Sequence, residues 1–186
     1  MAAPAIDTSK LAIGYAIMWY AVSDTAKPTT VYGGDLGASV AAWDYIGATQ
    51  EGITWNNSTD TNDLFVEESR TAVMTQPGTG TFAFSAALAE ISPVNVQLWM
   101  GGGGTLSGTA GSEQYIPSET LEEYAIVVDA PAAGTDKILR IYVPRARVVA
   151  SDDTSFRRAE NYQTLGITVT ANCAYSDLRF NWATAS

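Results

Sequence analysis

Short runs in which apolar and polar residues alternate, separated by clusters of Gly, Pro, Asn or Asp, recur along this chain from Leu11 to Trp182. Successive side chains of a strand point to opposite faces, so such runs reconcile a core with an exterior only as β-strands. Val, Ile, Thr, Tyr, Phe and Trp fill the runs, which is the composition of strands that pack on a half-buried sheet. The pattern predicts a mainly β fold.

Individual runs follow the same logic. Leu11, Ile13, Tyr15, Ile17 and Trp19 fall on one strand face; Ala12, Gly14, Ala16, Met18 and Tyr20 form an equally apolar second face, which predicts cover on both sides. Residues 23–39, with Pro28, Gly33, Gly34 and Gly37, read as turns. The stretch from Trp43 to Trp55 reads as an aromatic hairpin turning at Glu51-Gly52, with Ile53 and Trp55 on one face. Asn56 to Asp63 follows as a long polar arm. Leu64–Met74 and Thr79–Leu88 read as a second hairpin turning at Pro77-Gly78, a strong turn signal. On its second strand Phe82, Phe84, Ala86 and Leu88 share one face, and Thr81 and Ser85 lie on the other.

Ile91–Met100 is the one helical window. Ser92 can cap it, Pro93 suits its first turn and Gly101 can stop it. Gly101 to Gly111 reads as a flexible connector. Tyr124–Asp129 is a buried strand, and Leu139, Ile141 and Val143 share one face of the next. Pro144 cannot donate to a ladder and is expected at a bulge or an edge. Leu165, Ile167 and Val169 form a further strand face; Leu178, Phe180 and Trp182 form the last. No repeat or second core is evident. The expectation is one domain over 1–186, with an N-terminal strand and arm in 1–42, a β core with the helix near 92–100 in 43–171, and a C-terminal strand in 172–186. Trp43, Trp55 and Trp182 lie on apolar faces and are expected in the core.

Composition narrows the chemistry. Histidine is absent and Cys173 is the single cysteine, which removes Ser–His and Cys–His catalysis, His metal sites and an intrachain disulfide. The longest apolar run, Leu11–Val22, is too short to span a bilayer, and no basic segment precedes it. No membrane insertion is therefore expected, and synthesis and use in a cytoplasm is, with later release on a particle. The net charge of −10 argues against tight binding to a nucleic-acid backbone. It is unevenly spread: residues 1–136 carry three cations and sixteen acids, residues 137–186 seven cations and four acids. Such a division suits a subunit whose basic part meets the acidic part of a neighbour, with Arg140, Arg145, Arg147, Arg157 and Arg158 as the candidate inter-subunit cations.

Other motifs have plainer readings. Gly101–Gly104 follows a helix instead of opening one and lacks a Lys-Ser/Thr, so it does not make a phosphate cradle. Asp60 to Asp63 and Ser151 to Asp153 lack the spacing and terminal Glu of a calcium loop. Neighbours in Glu67-Glu68 and Glu122-Glu123 point apart on a strand, unlike converging glycosidase carboxylates. No catalytic residue, metal or cofactor is expected. A carbohydrate-binding β-sandwich and a carboxylate hydrolase stay open as alternatives.

The succession of segments resembles the major tail tube proteins of bacteriophages with long, non-contractile tails. The resemblance rests on Trp43 and Ile46-Gly47 before Glu51-Gly52-Ile53-Thr54, on the acidic arm leading to Arg70, and on Phe82–Leu88 leading into the Ser92–Trp99 helix. Ile141-Tyr142-Val143-Pro144-Arg145-Ala146 and Leu165–Ala171 extend it to the end of the core. It implies a β-sandwich or rolled barrel with a flanking helix and extended arms, in a structural virion protein that is not an enzyme. It also implies hexameric rings stacked into a tube, contacts with tape measure, tail terminator and baseplate proteins, and genomic DNA passing through without specific binding. Secretion tubes share that architecture. On this resemblance Asn56, Asn57, Asp60, Asn62 and Asp63 become the candidate ring-stacking arm, and Glu67, Arg70, Thr81 and Ser85 the candidate lumen hairpin.

Overall fold

The computed structural model describes residues 16–28, 42–64, 74–109, 112–131, 137–151 and 164–184. Among them, strands β1 (Ile17–Val22), β2 (Asp44–Tyr45), β3 (Thr49–Leu64) and β4 (Met74–Leu88) lead to the helix α1 (Pro93–Trp99). Strands β5 (Gly102–Ser107), β6 (Gln114–Leu121), β7 (Glu123–Pro131), β8 (Lys137–Ala150), β9 (Leu165–Ala171) and β10 (Arg179–Thr184) follow. One antiparallel sheet runs in the order β2-β1-β7-β8-β9-β4-β3, with β10 also on β8; β5 and β6 form a separate pair. The mainly β, sandwich-type fold read from the sequence is the one observed.

The sheet rolls over a single main core. Strands from both of its ends feed that core: Met18 from β1, Phe82, Phe84 and Leu88 from β4, Ile126 and Val128 from β7, Val143 and Val148 from β8, Ile167 and Val169 from β9. These are the faces that the alternation assigns. Leu98 closes the core from α1. The helix has the expected ends: the Ser92 Oγ accepts from the Asn95 amide at 3.1 Å, Pro93 occupies the first turn, and Gly101 takes φ +94° just past the last turn.

β1 is covered on both sides, as its two apolar faces require. Contrary to the expectation of one core, its outer face builds a second, smaller cluster of Ile17, Trp19, Ala21, Trp43, Ala125 and Val127. The segment Thr25–Pro28 is tied down beside that cluster by three side chains. Trp43 Nε1 donates to the Ala26 carbonyl at 3.2 Å, the Tyr142 hydroxyl to Thr25 at 2.8 Å, and Arg140 Nη1 to Pro28 at 2.6 Å.

Two turn assignments are corrected. The Trp43–Trp55 stretch is not a hairpin: β2 pairs with β1, and β3 pairs with β4. The register slips between Thr49/Leu88 and Ile53/Ala86, so Glu51-Gly52 is a bulge within β3, made possible by Gly52 at φ +81°. Pro77-Gly78 is likewise no turn. It lies inside β4, where the register shifts between Thr59/Gly80 and Thr61/Pro77. Beyond Ala83 this part of β4 pairs only with β3 among the described residues, so a residue without an N–H is tolerated there. Leu64 and Met74 are cross-strand partners; the rest of the strand expected over Leu64–Met74, residues 65–73, lies outside the described residues. The expected bulge at Pro144 is present: Tyr124 pairs with Ala146 but Ile126 with Val143.

The glycine connector is corrected too. Gly102–Gly104 belong to β5, and glycine is required because β6 and β7 press against its backbone. A Cβ on Gly103 would lie 1.8 Å from the Thr120 carbonyl oxygen, and one on Gly102 2.4 Å from the Tyr124 hydroxyl.

Candidate functional site

No converging catalytic constellation emerges from the described residues. Glu122 and Glu123 turn to different partners, the first to the Tyr124 hydroxyl at 3.3 Å, the second to Asn172 and Arg147. No three His, Cys, Asp or Glu side chains among the described residues gather to hold a metal. Burial, then the charge of Asp44, pushes the Tyr20 phenol up to about 12. Burial, then Glu122, lifts Tyr124 further. Both stay neutral and serve as packing groups, edge to face with each other at 5.7 Å. Burial also raises the Cys173 thiol, which keeps it protonated rather than nucleophilic.

What the molecule presents instead is surface. The first surface is the long ribbon of β3 and β4. Asn56, Asn57 and Asp60 are exposed along β3, as is Asp63 near its end, and Asn62 lies in the same run opposite Gln76. These residues belong to a β-ribbon and not a loop, because all but Asp60, which lies at the register shift, have a cross-strand partner on β4. Asn56 pairs with Ala83, Asn57 with Phe82 and Asp63 with Thr75. Thr81 and Ser85 are exposed on β4, opposite Ser58 and Thr54. The structure thus brings part of the two proposed groups onto one ribbon. Glu67 and Arg70 lie outside the described residues. The base of the ribbon is fixed by Tyr175, whose hydroxyl bonds Asn57 and whose ring sits where a Gly80 side chain would be, 2.6 Å from that Cβ position.

The second surface is the set of cations. Arg140 is corrected: it is 3% exposed and forms a two-pronged pair with the fully buried Asp129, Nε to Oδ1 at 2.7 Å and Nη2 to Oδ2 at 2.6 Å. It braces the protomer and offers nothing to a neighbour. Arg145 and Arg147 project from β8 into solvent, with Asp24 at 3.0 Å and Glu123 at 3.5 Å respectively. Arg145 borders an open cleft of about 760 Å³ that Asp24, Asp177, Arg179 and Cys173 also line. Arg157 and Arg158 lie outside the described residues.

A third surface was not expected. Trp43 is buried, but Trp55 is 52% exposed and Trp182 39%, so the core assignment of these two is corrected. With Phe180, 49% exposed, they mark the place where the rolled sheet leaves its interior uncovered. Period-two spacing put these rings on the correct face; whether that face is covered is decided by the rest of the fold. The rings of Trp55, Phe82 and Phe180 meet at 5.6–6.2 Å and at steep angles of 53–87°. They form an edge-to-face cluster, not the coplanar platform that stacks a sugar.

A family model described as phage tail tube protein matches residues 5–185 of the chain. No curated protein matches it.

Proposed function

The chain belongs to the phage tail tube protein family, and from that premise we propose that it closes into hexameric rings that stack into the tube of a long, non-contractile tail. As a tail tube protein it is a structural component of the virion tail, in which it assembles with other tail components. In our reading the tube is the conduit for genome delivery, the whole chain serves as one tail tube domain, and tape measure, terminator and baseplate proteins contact the finished tube. The observation that carries this reading is the family match over nearly the entire chain.

The physics of the fold supports it. A sheet whose border strands β2 and β3 are each paired on one side only among the described residues gains by joining its copies edge to edge, which removes the aggregation hazard of free strands. The ribbon of β3 and β4, polar and exposed, suits reaching toward the next ring; its Thr81 and Ser85 side suits a water-lined wall. A net charge of −10 per chain keeps DNA from adhering to such a wall, since repulsion acts within a Debye length of ~8 Å at physiological salt.

Electron microscopy of the purified protein at rising concentration tests the reading. Rings or hollow rods are expected; a persistent monomer at every concentration would overturn it. Arg145 and Arg147 provide a finer test. Their acidic partners, exposed Asp24 and half-buried Glu123, lie on the same chain, and pairs that reach solvent in this way add little stability. Replacing both with Gln should leave the unfolding midpoint nearly unchanged and slow assembly at low salt, because steering charges act on association rates. Light scattering that rises at the wild-type rate would count against a role in assembly.

A further inference from the structure

Two apolar features of the described surface remain without partners, and they differ in shape. One is the open end of the rolled sheet. Trp55 divides two hollows there, of about 250 and 440 Å³. Ile53, Phe84 and Leu139 line the first; Phe82, Leu178 and Phe180 line the second. Among the described residues no charged side chain lines either hollow. Two strand edges border the opening. Among the described residues β10 pairs only with β8, and residues 74–82 of β4 pair only with β3. A peptide occupant suits both the apolar walls and the backbone of these two edges.

The other feature is the β5–β6 hairpin, which stands apart from the main sheet. Thr105 is paired with Ile116 and Leu106 with Tyr115, so Leu106 and Ile116 point to opposite faces of it. Both are exposed, Ile116 by 53% and Leu106 by 38%. A hairpin that is apolar on both faces fits a slot and not a flat surface. Its span, residues 102–122, carries Glu113, Glu119 and Glu122 and no cation, whereas Lys137, which shares a face of β8 with Leu139 and Ile141, stands at one end of the β8–β10 pairing.

We propose that the β5–β6 hairpin of one copy inserts into the aromatic opening of a second copy, with Leu106 and Ile116 entering the hollows on either side of Trp55. The proposal rests on the tube reading and adds to it the contact between subunits. The two surfaces are different, so the contact is heterologous and repeats from copy to copy, closing a ring or continuing as a helix. Burying the exposed parts of Trp55 and Phe180 against Leu106 and Ile116 makes this a centre of binding energy, as aromatic anchors in desolvated pockets are.

The test uses two variants of the whole chain: Trp55→Ser with Phe180→Ser, which spoils the opening, and Leu106→Ser with Ile116→Ser, which spoils the hairpin. The second pair is exposed in the single chain, so its folding does not depend on them. Each variant should need at least about tenfold more protein to assemble, the change expected from losing 1.4 kcal/mol or more per contact. Mixed together, the two retain one intact hairpin and one intact opening, so sedimentation should show a one-to-one complex and nothing larger. Wild-type chains that form tubes while the hairpin variant forms them equally well would overturn the proposal and leave the tube reading standing. The absence of a one-to-one complex from the mixture would also overturn it. Wild-type chains that never assemble would remove both.

Discussion

Asp129→Ala should cost about 3–5 kcal/mol of folding stability, the range for breaking a buried ion pair by removing one partner. Asp129 and Arg140 are direct cross-strand partners on β7 and β8, 0% and 3% exposed. Their two parallel bonds, at 2.7 and 2.6 Å, use both carboxylate oxygens. Without the carboxylate the guanidinium stays buried with the Pro28 carbonyl as one remaining acceptor, and a carbonyl cannot neutralise a charge. The damage should spread, because Arg140 is one of the three side chains that hold Thr25–Pro28 beside the smaller core. Replacing both partners, Asp129→Leu with Arg140→Met, should recover most of the loss, since an apolar pair needs no counter-charge. Urea unfolding at constant m-value measures both variants. A loss below about 1 kcal/mol for Asp129→Ala would mean that Arg140 reaches water in the native state.

That pair also shows where reading a sequence stops. The alternation around Arg140 places it opposite in facing to Leu139 and Ile141, and the acidic and basic parts of the chain made it a candidate for a neighbour's surface. What decides its use is Asp129, across a strand pair whose register the local pattern does not state. The same distinction runs through the fold. Signals that depend on residues near in sequence were legible: Ser92, Pro93 and Gly101 bound the helix, Phe82 to Leu88 face the core, and Pro144 sits at a bulge. Signals that depend on a distant strand were not. Gly52 and Pro77-Gly78 carry the chemistry of a turn, but a bulge uses the same backbone freedom, and only the pairing of β3 with β4 separates the two. Gly102–Gly104 read as slack until the close approach of β6 and Tyr124 is known. Trp55 and Trp182 were assigned to the right face, but the covering layer ends before it reaches them. The polar run Asn56–Asp63, read from the sequence as an arm, is part of strand β3 of a ribbon, which the sequence does not announce because a ribbon with two polar faces lacks the alternation that marks a half-buried strand.

Shortening that ribbon should abolish stacking while leaving the folded subunit intact. Asn57 and Phe82 are cross-strand partners, so residues 58–81 can be replaced by a two-residue Asn-Gly turn joining them, the chemistry that a tight hairpin requires. Removing both strands together matters. Deleting 56–63 alone would strip β4 of its one partner along 74–82 among the described residues and create the unpaired edge that aggregates. The shortened chain keeps Phe82, Phe84, Ala86 and Leu88, and with them the contribution of β4 to the core, and Trp55 stays against Phe82. It also keeps Asn57, the partner of Tyr175. Its circular dichroism and unfolding midpoint should therefore stay close to the wild type, because none of the described side chains that are lost is buried. Contacts between subunits within a ring need not include the distal ribbon, so electron microscopy should show isolated rings or short oligomers in place of rods. Rods of normal length from the shortened chain would transfer the stacking role to another part of the molecule, and a chain that no longer folds would show that the ribbon serves the subunit before it serves the tube.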